Sequence, residues 1–70
     1  MNWKRTRLGT VTAYTATDGD VTAKVMKYEG QAVWTVRVWH GAYLFRETRG
    51  SAKSRDSKRL AEELMTEAVR

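Results

Sequence analysis

At 70 residues the chain is too short for two domains of ordinary size, and one core of this size is marginal, so one domain is expected over residues 1–70. It has no cysteine, which removes disulfides and thiolate metal ligands and points to a reducing, cytoplasmic setting. No apolar run approaches the ~20 residues of a membrane helix, and Met1-Asn2-Trp3-Lys4-Arg5 does not lead into a signal-type hydrophobic stretch. Thirteen Lys and Arg against eight Asp and Glu give a net charge of +5, which favours anionic partners, nucleic acid first, though such charge also serves simply to keep small proteins apart.

Glycines at positions 9, 19, 30, 41 and 50 punctuate a chain without proline or internal repeats. Turn signals every ten or eleven residues between β-branched and aromatic runs are the pattern of a β-meander. The expected strands are Thr10 to Ala16, Val21 to Tyr28, Ala32 to Trp39 and Ala42 to Thr48. With Asp18-Gly19, Gly30-Gln31 and His40-Gly41 as two-residue loops, Ala16 pairs with Val21, Val25 with Val36, and Val38 with Tyr43. All three turns then agree on one apolar face, made of Tyr14, Val21, Ala23, Val25, Trp34, Val36, Val38, Tyr43 and Phe45.

The period then changes. Leu60, Ala61, Leu64, Met65 and Ala68 follow helical spacing, and Ser54, Asp56 and Ser57 offer capping oxygens, so a helix is expected from about residues 55–58 to the last residues. The fold class is therefore α+β: an antiparallel β-meander of about four strands with one C-terminal α-helix packed on its apolar face. The loop Arg49-Gly50-Ser51-Ala52-Lys53-Ser54 between them reads as small, adaptable and strongly positive, seconded by Lys4, Arg5 and Arg7.

The other face of the sheet carries the functional hints. The register sets Lys24 opposite Arg37, with Trp39, Thr35 and Arg46 nearby, and like charges facing each other oppose folding by roughly 0.2–1 kcal/mol unless an anion relieves them or both chains diverge into water. At the helix start Lys53, Arg55, Lys58 and Arg59 crowd the positive end of the macrodipole while Glu62, Glu63 and Glu67 lie further along. That polarity fits a phosphate contact at the free amides; it equally fits a solvated face with Arg59–Glu63 and Lys58–Glu62 pairs. Catalysis is not expected. There is no P-loop spacing, no G-x-S-x-G elbow and no paired-histidine motif, His40 falls in a turn, and Asp18 and Asp20 bracket a hairpin glycine, so neither metal nor cofactor is implied.

A three-stranded sheet followed by a helix, with Trp34-Thr35-Val36-Arg37-Val38-Trp39 in a central strand, resembles the sheet-plus-helix DNA-binding domains of phage-type integrases and plant AP2 factors over about residues 20–69. The resemblance implies that the exposed sheet face enters the major groove, with Lys24, Arg37 and Trp39 at the groove-facing positions; the extra N-terminal strand and the more apolar outer face depart from the family pattern. The leading expectation is a small DNA- or RNA-binding protein using Lys24, Arg37, Trp39, Arg46 and Arg49 with Lys53, Arg55, Lys58 and Arg59. Its equal rival is a protein-interaction module, such as an accessory or inhibitor protein of a phage or mobile element, or a homodimer. That module would use the outer apolar residues Val11, Met26, Val33 and Leu44, or a sheet edge, unless the N-terminal segment with Trp3 and Leu8 folds back over them.

Overall fold

The computed structural model describes residues 2–69; Met1 and Arg70 lie outside it. Five strands, β1 (Lys4–Leu8), β2 (Val11–Asp18), β3 (Val21–Lys27), β4 (Thr35–His40) and β5 (Tyr43–Arg49), form one antiparallel sheet in sequential order, and α1 (Ser54–Ala68) follows. The α+β meander expected from the turn spacing is present, with one strand more. That strand, β1, lacks any apolar alternation: every residue of Lys-Arg-Thr-Arg-Leu is exposed, as suits an edge strand that α1 does not cover.

Three hairpins have two-residue turns, Gly9-Thr10, Gly19-Asp20 and Gly41-Ala42, bounded by the pairs Leu8↔Val11, Asp18↔Val21 and His40↔Tyr43. In each the glycine comes first with φ 61° and no other residue type has positive φ, the arrangement of a type II′ turn. A turn with glycine second would shift the pairing by two residues, which is the difference from the expected register: Ala16 faces Ala23 rather than Val21. A shift of two leaves every side chain on the same face, so the face assignment survives.

Between β3 and β4 the pairing is as expected, with Ala23↔Val38, Lys24↔Arg37 and Val25↔Val36, but it stops at Met26↔Thr35. Residues 28–34 form a longer loop in place of a two-residue turn, opened by a turn in which the Gln31 amide donates to the Tyr28 carbonyl at 3.2 Å. Val33 therefore sits in this loop and not on the outer sheet face. A β-bulge between Val38 and Trp39 displaces β5 by one residue, so that Val38 faces Arg46 and Val36 faces Thr48. Tyr43, expected in the core, lies instead at the hairpin end and is 69% exposed, whereas Phe45 does pack against the core.

The helix lies across β3 and β4. Ala61, Leu64 and Met65 are buried against Val21, Ala23, Val25, Trp34, Val36 and Val38, with Leu60 and Ala68 at the margin, as the helical spacing requires. No side chain caps the helix N-terminus at Lys53. Ser57 instead ties the helix to the loop before it. The residue is fully buried, its hydroxyl oxygen accepts the Ser51 amide at 3.0 Å, and its proton lies within reach of the Lys53 carbonyl at 3.0 Å. Gly50 and Ser51 in turn pair with Trp34, the Gly50 amide donating to the Trp34 carbonyl at 2.7 Å and the Trp34 amide to the Ser51 carbonyl at 3.0 Å. A Cβ on Gly50 would meet Ser57 Oγ at 2.5 Å. The loop that reads as adaptable from its small residues is thus fixed, and the residues are small because the helix start presses against it.

Candidate functional site

Antiparallel partners share a face, so the register sorts the basic residues. On the open face, away from the helix, the row Lys4, Thr15, Lys24, Arg37, Glu47 crosses all five strands, with Thr6, Ala13, Met26, Thr35 and Arg49 forming the next row. Lys24, Arg37, Trp39 and Arg49 do share this surface. The like-charge pair Lys24–Arg37 is relieved within the fold. Arg37 Nε donates to Glu47 Oε2 at 2.6 Å and Nη1 reaches the Tyr28 hydroxyl at 3.5 Å, while the Lys24 ammonium lies 5.8 Å from the Trp39 ring centroid. The Glu47 hydrogen bond raises the Arg37 pKa above the ordinary guanidinium value, partial desolvation opposes it, and Tyr28 adds to it.

The outer apolar residues are likewise partly accommodated. Tyr28 donates its hydroxyl proton to Met26 Sδ at 3.7 Å, and Val11, Met26 and Trp39 are half-buried. Leu44 remains 43% exposed and Leu8 73%. The N-terminal segment does not fold over this face; it extends the sheet, leaving Leu8 beside a shallow apolar depression with Val11, Ala13 and Met26.

The helix-start cations lie on the opposite side of the sheet, so the nine expected contact residues do not form one surface. Arg46 sits at the bulge, its guanidinium 5.5 Å from the Phe45 ring centroid. Lys53 is exposed in the loop before α1. Arg55, Lys58, Arg59 and Glu62, one stripe of the helix, line a groove with Ser54 and Trp3. The Lys58 ammonium stands 3.6 Å above the ring centroid of Tyr14, which leans on Trp34 at 5.6 Å, and the Trp3 indole donates to Glu62 Oε2 at 2.9 Å.

The strand register places two more cations on this side of the sheet. Tyr14 pairs with Arg5, and Thr12 with Arg7, so both arginines stand on the helix side of β1, across β2 from the helix stripe. Lys4, one residue out of phase, faces the other way. Among the described residues only two ion pairs form, Arg37–Glu47 and the exposed sequence neighbours Arg55–Asp56 at 3.7 Å. The Arg59–Glu63 and Lys58–Glu62 pairs allowed by spacing are not among them, since Glu62 turns to Trp3 and Lys58 to Tyr14. Arg5 and Arg7 lie outside the expected contact set; the signal for them is Gly9, which as one more hairpin glycine pairs their strand with β2.

Among the described residues no group of three or more His, Asp and Glu is placed to hold a metal ion, and no helix is long and apolar enough to cross a membrane. Compared with known proteins, the chain matches no family model, and neither a curated protein nor a solved structure aligns with it significantly.

Proposed function

We propose that this chain is a small, non-enzymatic nucleic-acid-binding domain whose phosphate contacts come from the helix side of the sheet. One observation carries the reading: Arg5 and Arg7, from the first strand, stand across β2 from Arg55, Lys58 and Arg59, from the helix, and the acids beside them, Glu62 held by the Trp3 indole and Asp56 by Arg55, leave an excess of cations. Collecting like charges from both ends of a chain opposes folding, and helix cations at the N-terminal end add a few tenths of a kcal/mol each. A polyanion turns that cost into affinity through release of its counterions.

The test is fluorescence anisotropy of labelled DNA and RNA at about 50 and 200 mM salt. Neutralising about three to five phosphates gives a log–log salt slope near −2 to −3.5, so affinity should fall roughly 15- to 100-fold over that range. Absence of binding at the lower salt would end this reading.

A protein-interaction role for the open face is the second reading, supported by the apolar depression beside Leu8 and by exposed Leu44. It expects salt-insensitive association abolished by Met26→Glu or Leu44→Glu, measured by sedimentation of the protein alone and with candidate partners.

A further inference from the structure

The two edges of the sheet are built differently. At one flank β5 carries the extra residue of the bulge, Phe45, between Leu44 opposite Trp39 and Arg46 opposite Val38, and a bulge twists an edge out of line for a further strand. At the other flank β1 pairs with β2 through five consecutive residues without interruption, every one of them is exposed, and the helix lies over β3 and β4 instead. In a two-residue hairpin the pair closing the turn exchanges its backbone hydrogen bonds, and the pairs alternate from there. Leu8, Thr6 and Lys4 therefore direct their amides and carbonyls to β2, while Arg5 and Arg7 turn theirs outward. Such a regular outward row is a template for an added strand.

The side chains along this edge specify which strand. Arg5 and Arg7 project on the helix side and form no ion pair among the described residues; Thr6 lies between them on the open face. A second copy of β1 would set arginine beside arginine whichever way it ran, whereas a strand with acids at two alternate positions sets a carboxylate beside each. The residue between those acids falls beside Thr6. There the register puts Ala13 between Thr6 and Met26, and its small side chain leaves a depression of about 160 Å³ bounded by Leu8, Val11 and Lys24, room for one large apolar side chain reaching over Thr6. The order acid, apolar, acid reads the same in both directions, so it suits a parallel or an antiparallel strand.

We infer that β1 is a docking edge for an extended acidic segment of another protein, in which two carboxylate residues flank one large apolar residue. The segment's backbone pairs with Arg5 and Arg7, its acids meet the two guanidinium groups, and its apolar side chain fills the depression over Ala13. This does not rest on the nucleic-acid reading, since phosphate contacts need the guanidinium groups but not the outward backbone of β1.

The experiment titrates the protein with a labelled peptide of about ten residues, serine and threonine around a central Glu-Phe-Glu, followed by anisotropy and by amide hydrogen exchange in β1. Two control peptides carry the permuted Glu-Glu-Phe, or Glu-Phe-Glu N-methylated at all three residues. The proteins are the native chain, Arg5→Ala/Arg7→Ala, Ala13→Leu and, at the opposite edge, Arg46→Ala/Arg49→Ala. None of these positions is fully buried, so the fold should persist, checked by circular dichroism. Expected is binding of Glu-Phe-Glu with slowed exchange of the Arg5 and Arg7 amides, and affinity lower by roughly tenfold for each control peptide and for Arg5→Ala/Arg7→Ala. Ala13→Leu should lose about fivefold, and Arg46→Ala/Arg49→Ala should stay near native. Equal binding of the permuted or N-methylated peptide would reduce the edge to a general attraction for acidic peptides and overturn the inference. Loss confined to Arg46→Ala/Arg49→Ala would move docking to β5 and overturn it equally. No binding of Glu-Phe-Glu up to about 1 mM, by a chain that binds DNA or RNA, would overturn this inference alone; peptide binding by a chain that binds neither would overturn the nucleic-acid reading alone.

Discussion

The two sides of the sheet treat their cations differently. On the open face, the crowded pair Lys24 and Arg37 is dispersed by its neighbours, Arg37 to Glu47 and Tyr28, Lys24 to the Trp39 ring. On the helix side Lys58 likewise lies over an aromatic face and Arg55 pairs with Asp56, but Arg5, Arg7 and Arg59 form no ion pair among the described residues. Internal compensation marks charge that the fold has absorbed; its absence marks charge left for something else. The same division holds for apolar groups. The helix side buries its valines completely, while the open face leaves its large apolar side chains half-covered.

Stability measurements can break or sharpen that contrast. The largest effect belongs to the helix side. Met65→Ala, at a position 3% exposed, should cost about 2–5 kcal/mol. In so small a domain that is most of the total, lowering Tm by roughly 10 °C or more. Next comes the clasp beneath the helix start. Ser57→Ala leaves the Ser51 amide without its acceptor and should cost about 1–3 kcal/mol; Gly50→Ala, forced against Ser57, should cost a similar amount. Denaturant titration of the double variant should show less than the sum, because the two residues share one contact.

On the open face Leu44→Ser should shift stability by no more than about 0.5 kcal/mol; a loss as large as that of Met65→Ala would mean that this face is part of a core, covered by a second copy. Smallest is Glu47→Gln, about 0.5 kcal/mol for a partly exposed pair. Because the folded-state pKa of Arg37 is raised, the guanidinium's share of that stability is fully present below its ordinary pKa and is lost only in strong alkali. Arg37 titration therefore makes no contribution to any pH dependence near neutrality. The same variant frees Arg37 from its partner: unchanged affinity for nucleic acid keeps the site on the helix side, and tighter binding moves it to the open face.

Much of this architecture was legible in residue order. Glycine spacing located the hairpins, and alternation at Val21, Ala23, Val25, Val36 and Val38 fixed the buried face even though the turn type was read one residue out, since an even shift cannot exchange faces. The helix followed from Ala61, Leu64 and Met65. Three features were illegible for physical reasons. β1 is uncovered by the helix and needs no apolar residue to hold it. The bulge at Val38/Trp39 is a one-residue displacement that no composition announces, and it sets Arg46 opposite Val38, away from Arg37. The partners of the site cations, Glu47, Tyr28 and Tyr14, are set by cross-strand neighbours whose identity depends on that register.

The edges of the sheet have one more consequence. An open antiparallel meander offers unpaired backbone at both flanks, and copies meeting flank to flank would extend one continuous ribbon. Here the flanking strands are β1, with Lys4, Arg5 and Arg7, and β5, with Arg46 and Arg49, so each such encounter brings cation against cation. Mutual repulsion keeps the molecules dispersed only while those charges stand unneutralised; a polyanion that crowds many copies together also removes the barrier to their stacking, and with it the guard against fibrous self-assembly.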